Sequence, residues 1–297
     1  MNTLWPSKIH KIAITGAGGL IGSTLANKLH RAGYKVLAID NFEKGKRSAL
    51  DEGIEVSKVD LRYIYTKSAL FRGCHTVIHL ASKVGGIGYY LDNAYDVMRE
   101  NSLIDSNTLE CAIQNRVTNY LYASSAHIYP KLSGLIAEHQ STPAAPELSY
   151  GWAKLLGEKQ LRFAVNEGRI KGAIARYIGI YGEGQVFDLG LGSVIPVFCY
   201  RAVKSPEVSF LILGTGKETR NYCYVDDALD ATMRMVKKME TVDMVGPLNI
   251  GCDKENIKID SIAKEIIQIS GKDISISYDV SKETVLWEQW CYCTQAK

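Results

Sequence analysis

The sequence predicts an α/β fold built on a doubly wound parallel sheet, followed by a smaller C-terminal lobe. Short apolar, β-branched runs alternate with helical periodicities through residues 1–175, as in a parallel sheet covered on both faces. Near Arg176 that rhythm gives way to glycine-rich loops, short strands and shorter helices. The chain has 297 residues and is 46% hydrophobic, enough for one large domain or two small ones.

Taken in order, Lys11 to Thr15 reads as a buried strand that runs straight into glycines, Leu20 to Ala32 as a helix, and Tyr34 to Ile39 as a second strand, which together form a βαβ unit. Further strands are expected at Glu55 to Val59, Thr76 to Leu80, Tyr120 to Ala123 and Gly172 to Arg176. Helical patterns at Asn93 to Asn115 and Tyr150 to Asn166 separate several of them. Ligands of open α/β sheets bind beyond the carboxyl ends of the strands, so a cleft between the two lobes is the expected site.

Several function classes drop out on composition. A net charge of +3, evenly spread, with 23% charged residues is too mild for a nucleic-acid partner. No apolar run approaches the ~18 residues of a membrane helix, and Met1 to Lys11 lacks the apolar core of a signal peptide. The seven cysteines are an odd, scattered set. Cys291 and Cys293 are the only close pair, with nothing near to complete a zinc site, so reduced thiols, no metal and a cytoplasmic setting are expected.

Thr15 to Gly22 (TGAGGLIG) places glycines where a tight turn meets a helix start. Gly16 permits the turn, Gly19 lets backbone approach a pyrophosphate, and Gly22 lets the helix pack closely. The N–H groups at the start of the helix, around Leu20 and Ile21, face the phosphates with the positive end of the dipole. Asp40, followed by Asn41, ends the second strand at about the spacing at which a carboxylate accepts the adenosine ribose hydroxyls. This is a Rossmann-type dinucleotide site. Asp40 would repel a 2′-phosphate and so favours NAD, although Lys44, Lys46 and Arg47 could soften that repulsion and leave NADP open.

Tyr150 and Lys154 lie one helical turn apart on one face. An ammonium beside a phenol favours phenolate and is expected to lower the Tyr150 pKa toward neutrality. Such a tyrosine can take a proton from a sugar hydroxyl while hydride leaves the same carbon. Ala123-Ser124-Ser125, about two dozen residues upstream, could bring a hydroxyl to the reacting oxygen.

With these pieces in order, the chain resembles the extended short-chain dehydrogenase/reductase family, the nucleotide-sugar epimerases and dehydratases. The matching segments are Thr15 to Gly22, Asp60-Leu61, Leu80-Ala81-Ser82, Asn101, Ser124-Ser125, Tyr150 with Lys154, Arg176 to Gly182 and Gly214 to Asp227. The resemblance implies that Tyr150 is the general base and acid, that Lys154 binds the nicotinamide ribose, and that Ser125 bonds the substrate oxygen. Asp60 and Leu61 would flank the adenine, with Leu80, Ala81, Ser82, Asn101 and Ser124 also on the cofactor. Arg220 would hold the substrate's diphosphate or nucleoside. Residues 1–175 would then form the NAD-binding domain, and 176–297 mainly the substrate-binding lobe, partly interleaved with the first.

Lys83 to Gly88 and Ser124 to Pro130 look like segments of the GDP-mannose 3,5-epimerases and GDP-L-fucose synthases, where a glycine loop lines the sugar pocket. By that likeness Gly85, Gly86, Ala126, Gly179, Ser193, Val194 and Arg201 join the substrate side. A proton-moving cysteine of those families falls on His127, which could carry protons or merely wall the pocket. Their partner acid falls near Ser193 or Val194, neither of which shuttles protons well. The Asp-Glu pair of dehydratases is replaced by Ala126 and His127. C4 epimerisation asks least of the residues present. An NADPH-dependent 4-keto-sugar reductase and a silent NAD-binding protein are the rivals.

The chain departs from the family at Gly179, where an asparagine is usual. Beyond Tyr278 a run with Trp287 and Trp290 replaces the usual arginine, and relatives usually continue past the counterpart of Lys297. Either this copy is truncated or its substrate pocket is built differently. Helices 93–115 and 150–166 resemble a family dimer interface, with Leu103, Leu109 and Ile113 as the apolar side of the first, so a homodimer is expected.

Overall fold

The computed structural model describes residues 10–64, 68–131, 135–185, 193–252, 256–282 and 290–291. Cys293 and Trp287, and with them the expected cysteine pair, lie outside the described residues.

Seven strands form the central sheet: β1 (Lys11–Thr15), β2 (Lys35–Asp40), β3 (Glu55–Lys58), β4 (Cys74–His79), β5 (Asn119–Ser125), β6 (Lys171–Tyr177) and β7 (Met244–Ile250). All neighbours pair in parallel, in the spatial order β7-β6-β5-β4-β1-β2-β3. The order reverses beside β1, and there the carboxyl ends of β1 and β4 open a crevice. Strand alternation sorts the core onto two faces. Ile12, Ile14, Leu121 and Ala175 point to one, with Leu25 and Leu29 of α1 (Leu20–Arg31) and Leu229 and Met233 of a later helix, Val225–Lys238. Ala13, Val77, Tyr120 and Ile174 point to the other, beneath two long helices, Ala94–Gln114 and Ser149–Asn166.

With the short Ile87–Asp92 helix as α2, these are α3 (Ala94–Gln114) and α4 (Ser149–Asn166), followed by α5 (Val194–Lys204), α6 (Val225–Lys238) and α7 (Ile259–Ser270). The second lobe has its own small core. Val197 and Phe198 of α5 and Ile259 and Ile262 of α7 pack on Phe210 and Ile212. The segment Phe210–Leu213 pairs in parallel with Ile276–Asp279. Residues 225–250 do not stay in this lobe: α6 covers the main sheet and β7 extends it beside β6. The chain thus crosses between the lobes three times, after Tyr177, before Val225 and after Ile250. No helix among the described residues is long and apolar enough to cross a membrane.

Of the apolar side expected on α3, Leu109 is buried and Ile113 packs against the core, leaving only Leu103 at the surface. The reason is that α3 lies flat on the sheet, which takes that stripe for the core.

Candidate active site

The turn after β1 is shaped by close backbone approaches. Gly16 sits at φ +68, and a Cβ there would come within 2.8 Å of the Ala81 nitrogen. A Cβ on Gly22 would lie 2.2 Å from the Gly16 carbonyl oxygen, so no side chain fits where α1 leaves the turn. At Gly19 a Cβ would meet only that same oxygen, at 3.4 Å, and would project into the cleft. That empty cradle at a helix N-terminus fits a pyrophosphate. Gly18, whose role sequence reasoning missed, seats the loop after β2: its carbonyl accepts the Lys46 N–H at 3.1 Å.

From this turn one cavity of about 190 Å³ runs outward past Asp40, Asn41, Asp60, Leu61, Leu80, Ala81 and Ser82. A second, of about 320 Å³, shares Gly16, Gly19, Leu80 and Ser82 and runs inward past Leu20, Ile21 and Gly22 to Ser124, Ser125, Tyr150 and Lys154. The shared lining makes the two cavities adjoining parts of one trough. Asp40 is held rigidly, accepting the Gly18 N–H at 2.9 Å and the Phe42 N–H at 2.7 Å. Arg62, unanticipated from sequence, pairs with Asp60 at 2.6 Å and holds its carboxyl below the usual range. Glu43 and Lys83 form an ion pair across the mouth of the outer cavity.

One expected cofactor contact is corrected. Asn101 is fully buried and its amide is spent inside the protein. Its oxygen accepts from the Ser82 hydroxyl and the Lys83 N–H, and its nitrogen donates to the Lys83 and Val97 carbonyls. With two donors and two lone pairs so committed, it shapes the 82–83 loop rather than touching a ligand. Ser124 lines the inner cavity, but its hydroxyl donates to Glu158 at 2.5 Å, and Glu158 in turn grips Arg176 with two bonds at 2.8 Å.

At the inner end the Tyr150 phenol is buried, and Ser82 and Ser125 line the same cavity beside it. Burial pushes it up to about 12, with the Asp105 charge adding to the rise and both serines opposing it. The expectation that Lys154 would lower this phenol is overturned for a geometric reason. The Lys154 ammonium lies 6.0 Å from the Tyr150 ring centroid, but 4.8 Å from that of Tyr122, and it pairs with the buried Asp105 at 3.5 Å.

On the substrate side, the Gly85 N–H donates to the Tyr90 hydroxyl and the Gly86 carbonyl caps the turn into α2. The glycine loop thereby places a residue absent from the sequence reading: the Tyr90 ring stacks on Tyr150, centroids 4.9 Å apart and 7° from parallel. His127 meets both rings edge-on, at 5.9 and 5.7 Å. Burial, with Arg220 nearby, pushes it down to about 4, so it is neutral at pH 7. Arg220 therefore belongs to this end.

Of the other expected substrate residues, Gly179 lines the trough, whereas Ala126 and Arg201 do not. Ala126 is buried among Ile128, Tyr129, Leu155 and Ile178, where it packs rather than lines the trough. The Arg201 guanidinium is buried in the second lobe on the Leu211 carbonyl. Ser193 caps α5, which Val194 begins, and its hydroxyl accepts from Gln185, another cavity residue that sequence reasoning missed. Gly179 lines the cavity at φ +55, with the Asn221 carbonyl oxygen 2.0 Å from where a Cβ would stand, so asparagine does not fit without a shift.

The model of the NAD dependent epimerase/dehydratase family matches residues 12–251. Over 287 residues the chain is 31% identical to GDP-mannose 3,5-epimerase 1 of Oryza sativa subsp. japonica, covering 95% of this chain and 74% of that protein. Identity to the GDP-L-fucose synthase of Sinorhizobium fredii is 26% over 279 residues, covering 92% of this chain and 83% of the other. Among solved structures, UDP-glucose 4-epimerase of Thermotoga maritima with UDP-glucose superposes at a TM-score of 0.83 and 24% identity, covering 97% and 91% of the two chains, a likeness of fold.

Proposed function

The chain belongs to the NAD dependent epimerase/dehydratase family, and from that premise we propose that it is an NAD-dependent epimerase of a nucleoside-diphosphate sugar that inverts C4 through a transient 4-keto sugar. The observation that carries this reading is the meeting of Ser125, Tyr150 and Lys154 in one cavity with Gly16, Gly19 and Gly22. NAD, when bound in that trough, supplies a hydride acceptor and returns the hydride. Asp40 and the turn at Gly16 would hold its adenosine and pyrophosphate, and Lys154 its nicotinamide ribose. Ser125 positions the sugar oxygen while Tyr150 takes the hydroxyl proton and later gives it back. Inversion requires only that the ketone turn over between the two transfers. Ala126 and His127 offer no acid for a departing hydroxyl, which disfavours dehydration.

Incubation with a panel of UDP-, GDP-, CDP- and dTDP-hexoses, resolved by NMR, is expected to yield one C4 epimer with NAD recovered from the purified protein. Turnover that needs added NADPH would replace this reading with a reductase. Binding of NAD with no turnover would leave a silent protein.

A second reading has its own support. His127 lies on the edge of Tyr150 and is neutral, as a base must be to take a proton from carbon beside a ketone. That is 3,5-epimerase chemistry, and solvent deuterium at C3 or C5 of recovered sugar reports it. Ser193, at the partner position, offers no acid.

The reading extends to a cytoplasmic homodimer. Cys74, Cys111, Cys199, Cys223 and Cys252 are all free thiols. Trp152, Leu156 and Phe163 form an exposed stripe at helical spacing on α4, with Tyr95 and Leu103 exposed on α3. Phe163→Glu is expected to halve the mass measured by light scattering, and an unchanged mass would remove this interface.

A further inference from the structure

Beneath the trough lies a set of buried polar groups that the proposed reaction does not use. Asp105, on α3, is 3% exposed. Its Oδ1 faces the Lys154 ammonium of α4 at 3.5 Å and His79 Nε2 of β4 at 3.0 Å, and its Oδ2 accepts from the Tyr122 hydroxyl of β5 at 2.5 Å. The phenols of Tyr120 and Tyr150 also feel its charge. The chain of partners continues to β1. Thr15 Oγ1 accepts from the Leu80 and Ala81 N–H groups, so its own proton goes to His79 Nδ1 at 2.7 Å. That leaves the His79 Nε2–H to donate to Asp105 and fixes a neutral tautomer, which burial also favours. Burial alone would raise the Asp105 carboxyl, but Lys154, His79 and Tyr122 hold it below its ordinary range, so it is a carboxylate.

We infer that Asp105 is a positioning residue that opposes the pull of Lys154 on the Tyr150 proton, by offsetting the ammonium's charge and by drawing it toward α3 and the Tyr122 ring. The geometry is one-sided. The ammonium can stand beside the phenol as an unpaired charge or beside the carboxylate as half of a neutral pair, and the fully fixed carboxylate selects the second. His79, Tyr122 and Thr15 hold Asp105 in place, and through Thr15 they tie this balance to the turn that carries Leu80 and Ala81, both lining the outer cavity. The inference rests on Tyr150 as the base of the proposed reaction, and its test needs no turnover.

The test is an ultraviolet difference titration of phenolate in the protein as purified, each variant being compared with the same variant carrying Tyr150→Phe so that Tyr150 alone is read. With a midpoint at about 12, only about one per cent of Tyr150 is ionised near pH 10. In Asp105→Asn the midpoint is expected to fall by about one pH unit or more, which raises the ionised fraction about tenfold at that pH. An unchanged or smaller fraction overturns the inference. Asp105→Ser serves the same purpose should the asparagine variant fail to fold, with thermal unfolding and NAD binding as checks. In the sugar assay, the alkaline rise of kcat/KM should move to lower pH in Asp105→Asn, whereas a merely structural role would lower activity without moving it. Full activity of Tyr150→Phe would sink the catalytic reading while leaving the titration result standing.

Discussion

The two ends of the trough are built by different means. At the outer end the protein presents mainly backbone, the turn at Gly16 and the N-terminus of α1, with the Asp40 carboxylate as a side chain locked by two backbone N–H groups. At the inner end it presents side chains gathered from remote parts of the chain. Tyr90 arrives from the glycine loop, Ser125 and His127 from the end of β5, Tyr150 from α4 and Arg220 from the second lobe. Backbone cradles are set by local sequence and tolerate little variation. A side-chain constellation can be retuned one residue at a time, which is how one fold comes to serve many sugars.

The contrast is sharpest in what single substitutions should cost. Tyr150→Phe removes one oxygen and leaves the cradle intact, so turnover should fall by about 10²–10⁴-fold or more while NAD binding, followed by fluorescence or calorimetry, stays near the wild-type value. Gly16→Val should do the reverse at the other end. With φ at +68 and the Ala81 backbone 2.8 Å from any Cβ, the turn must open, so NAD is lost and stability, followed by thermal unfolding, falls by about 1–3 kcal/mol or more. A Gly16→Val protein that kept its cofactor would show that the outer end is not backbone-built.

This division also explains what could be read from sequence. The strand–turn–helix at Lys11 to Arg31, Asp40, and the helical pair Tyr150 and Lys154 were legible because each depends on neighbours a few residues away. Tyr90 was not, because its stacking on Tyr150 comes from a fold contact across sixty positions of sequence. The behaviour of Lys154 was misjudged for the same reason. Its partner Asp105 sits on a different helix, and no spacing rule pairs them. Asn101 was assigned to the cofactor by resemblance, whereas its amide hydrogen bonds are consumed within the protein. The return of α6 and β7 to the first sheet was likewise hidden, since the local pattern after Arg176 says nothing about which core a segment joins.

A middle-sized effect is expected from pH. His127 is half-buried and its folded pKa is lowered to about 4 from an ordinary 6.5. Between those values the unfolded chain binds the proton more readily, so stability is full above about pH 6.5 and declines as pH falls toward 4. The two-and-a-half-unit gap corresponds to at most about 3 kcal/mol. His79 and His75 are lowered in the same direction and contribute their own loss, so the informative quantity is the difference between wild type and His127→Gln. The melting temperature of the variant should fall less steeply between pH 7 and 5. Parallel curves would mean that His127 is hydrated and does not wall the inner end.

The smallest expected effect bears on whether side chains other than Asp40 matter at the outer end. Glu43 and Lys83 reach across the mouth of the outer cavity from the loops that follow β2 and β4, and Lys44 donates to the Val84 carbonyl beside them. The arrangement looks like a latch over the adenosine half, but the Glu43 side chain is 43% exposed and that of Lys83 19%, so water screens the pair. Exposed ion pairs contribute about 0.2–1 kcal/mol, so Lys83→Met should weaken NAD binding by no more than about fivefold. Because the surviving interaction is coulombic across solvent, the difference from wild type should shrink as salt is raised toward 1 M, where screening acts over about 3 Å. A loss much larger than fivefold that persists in high salt would mean that the pair is buried once NAD is bound. The outer end would then share the side-chain construction of the inner one.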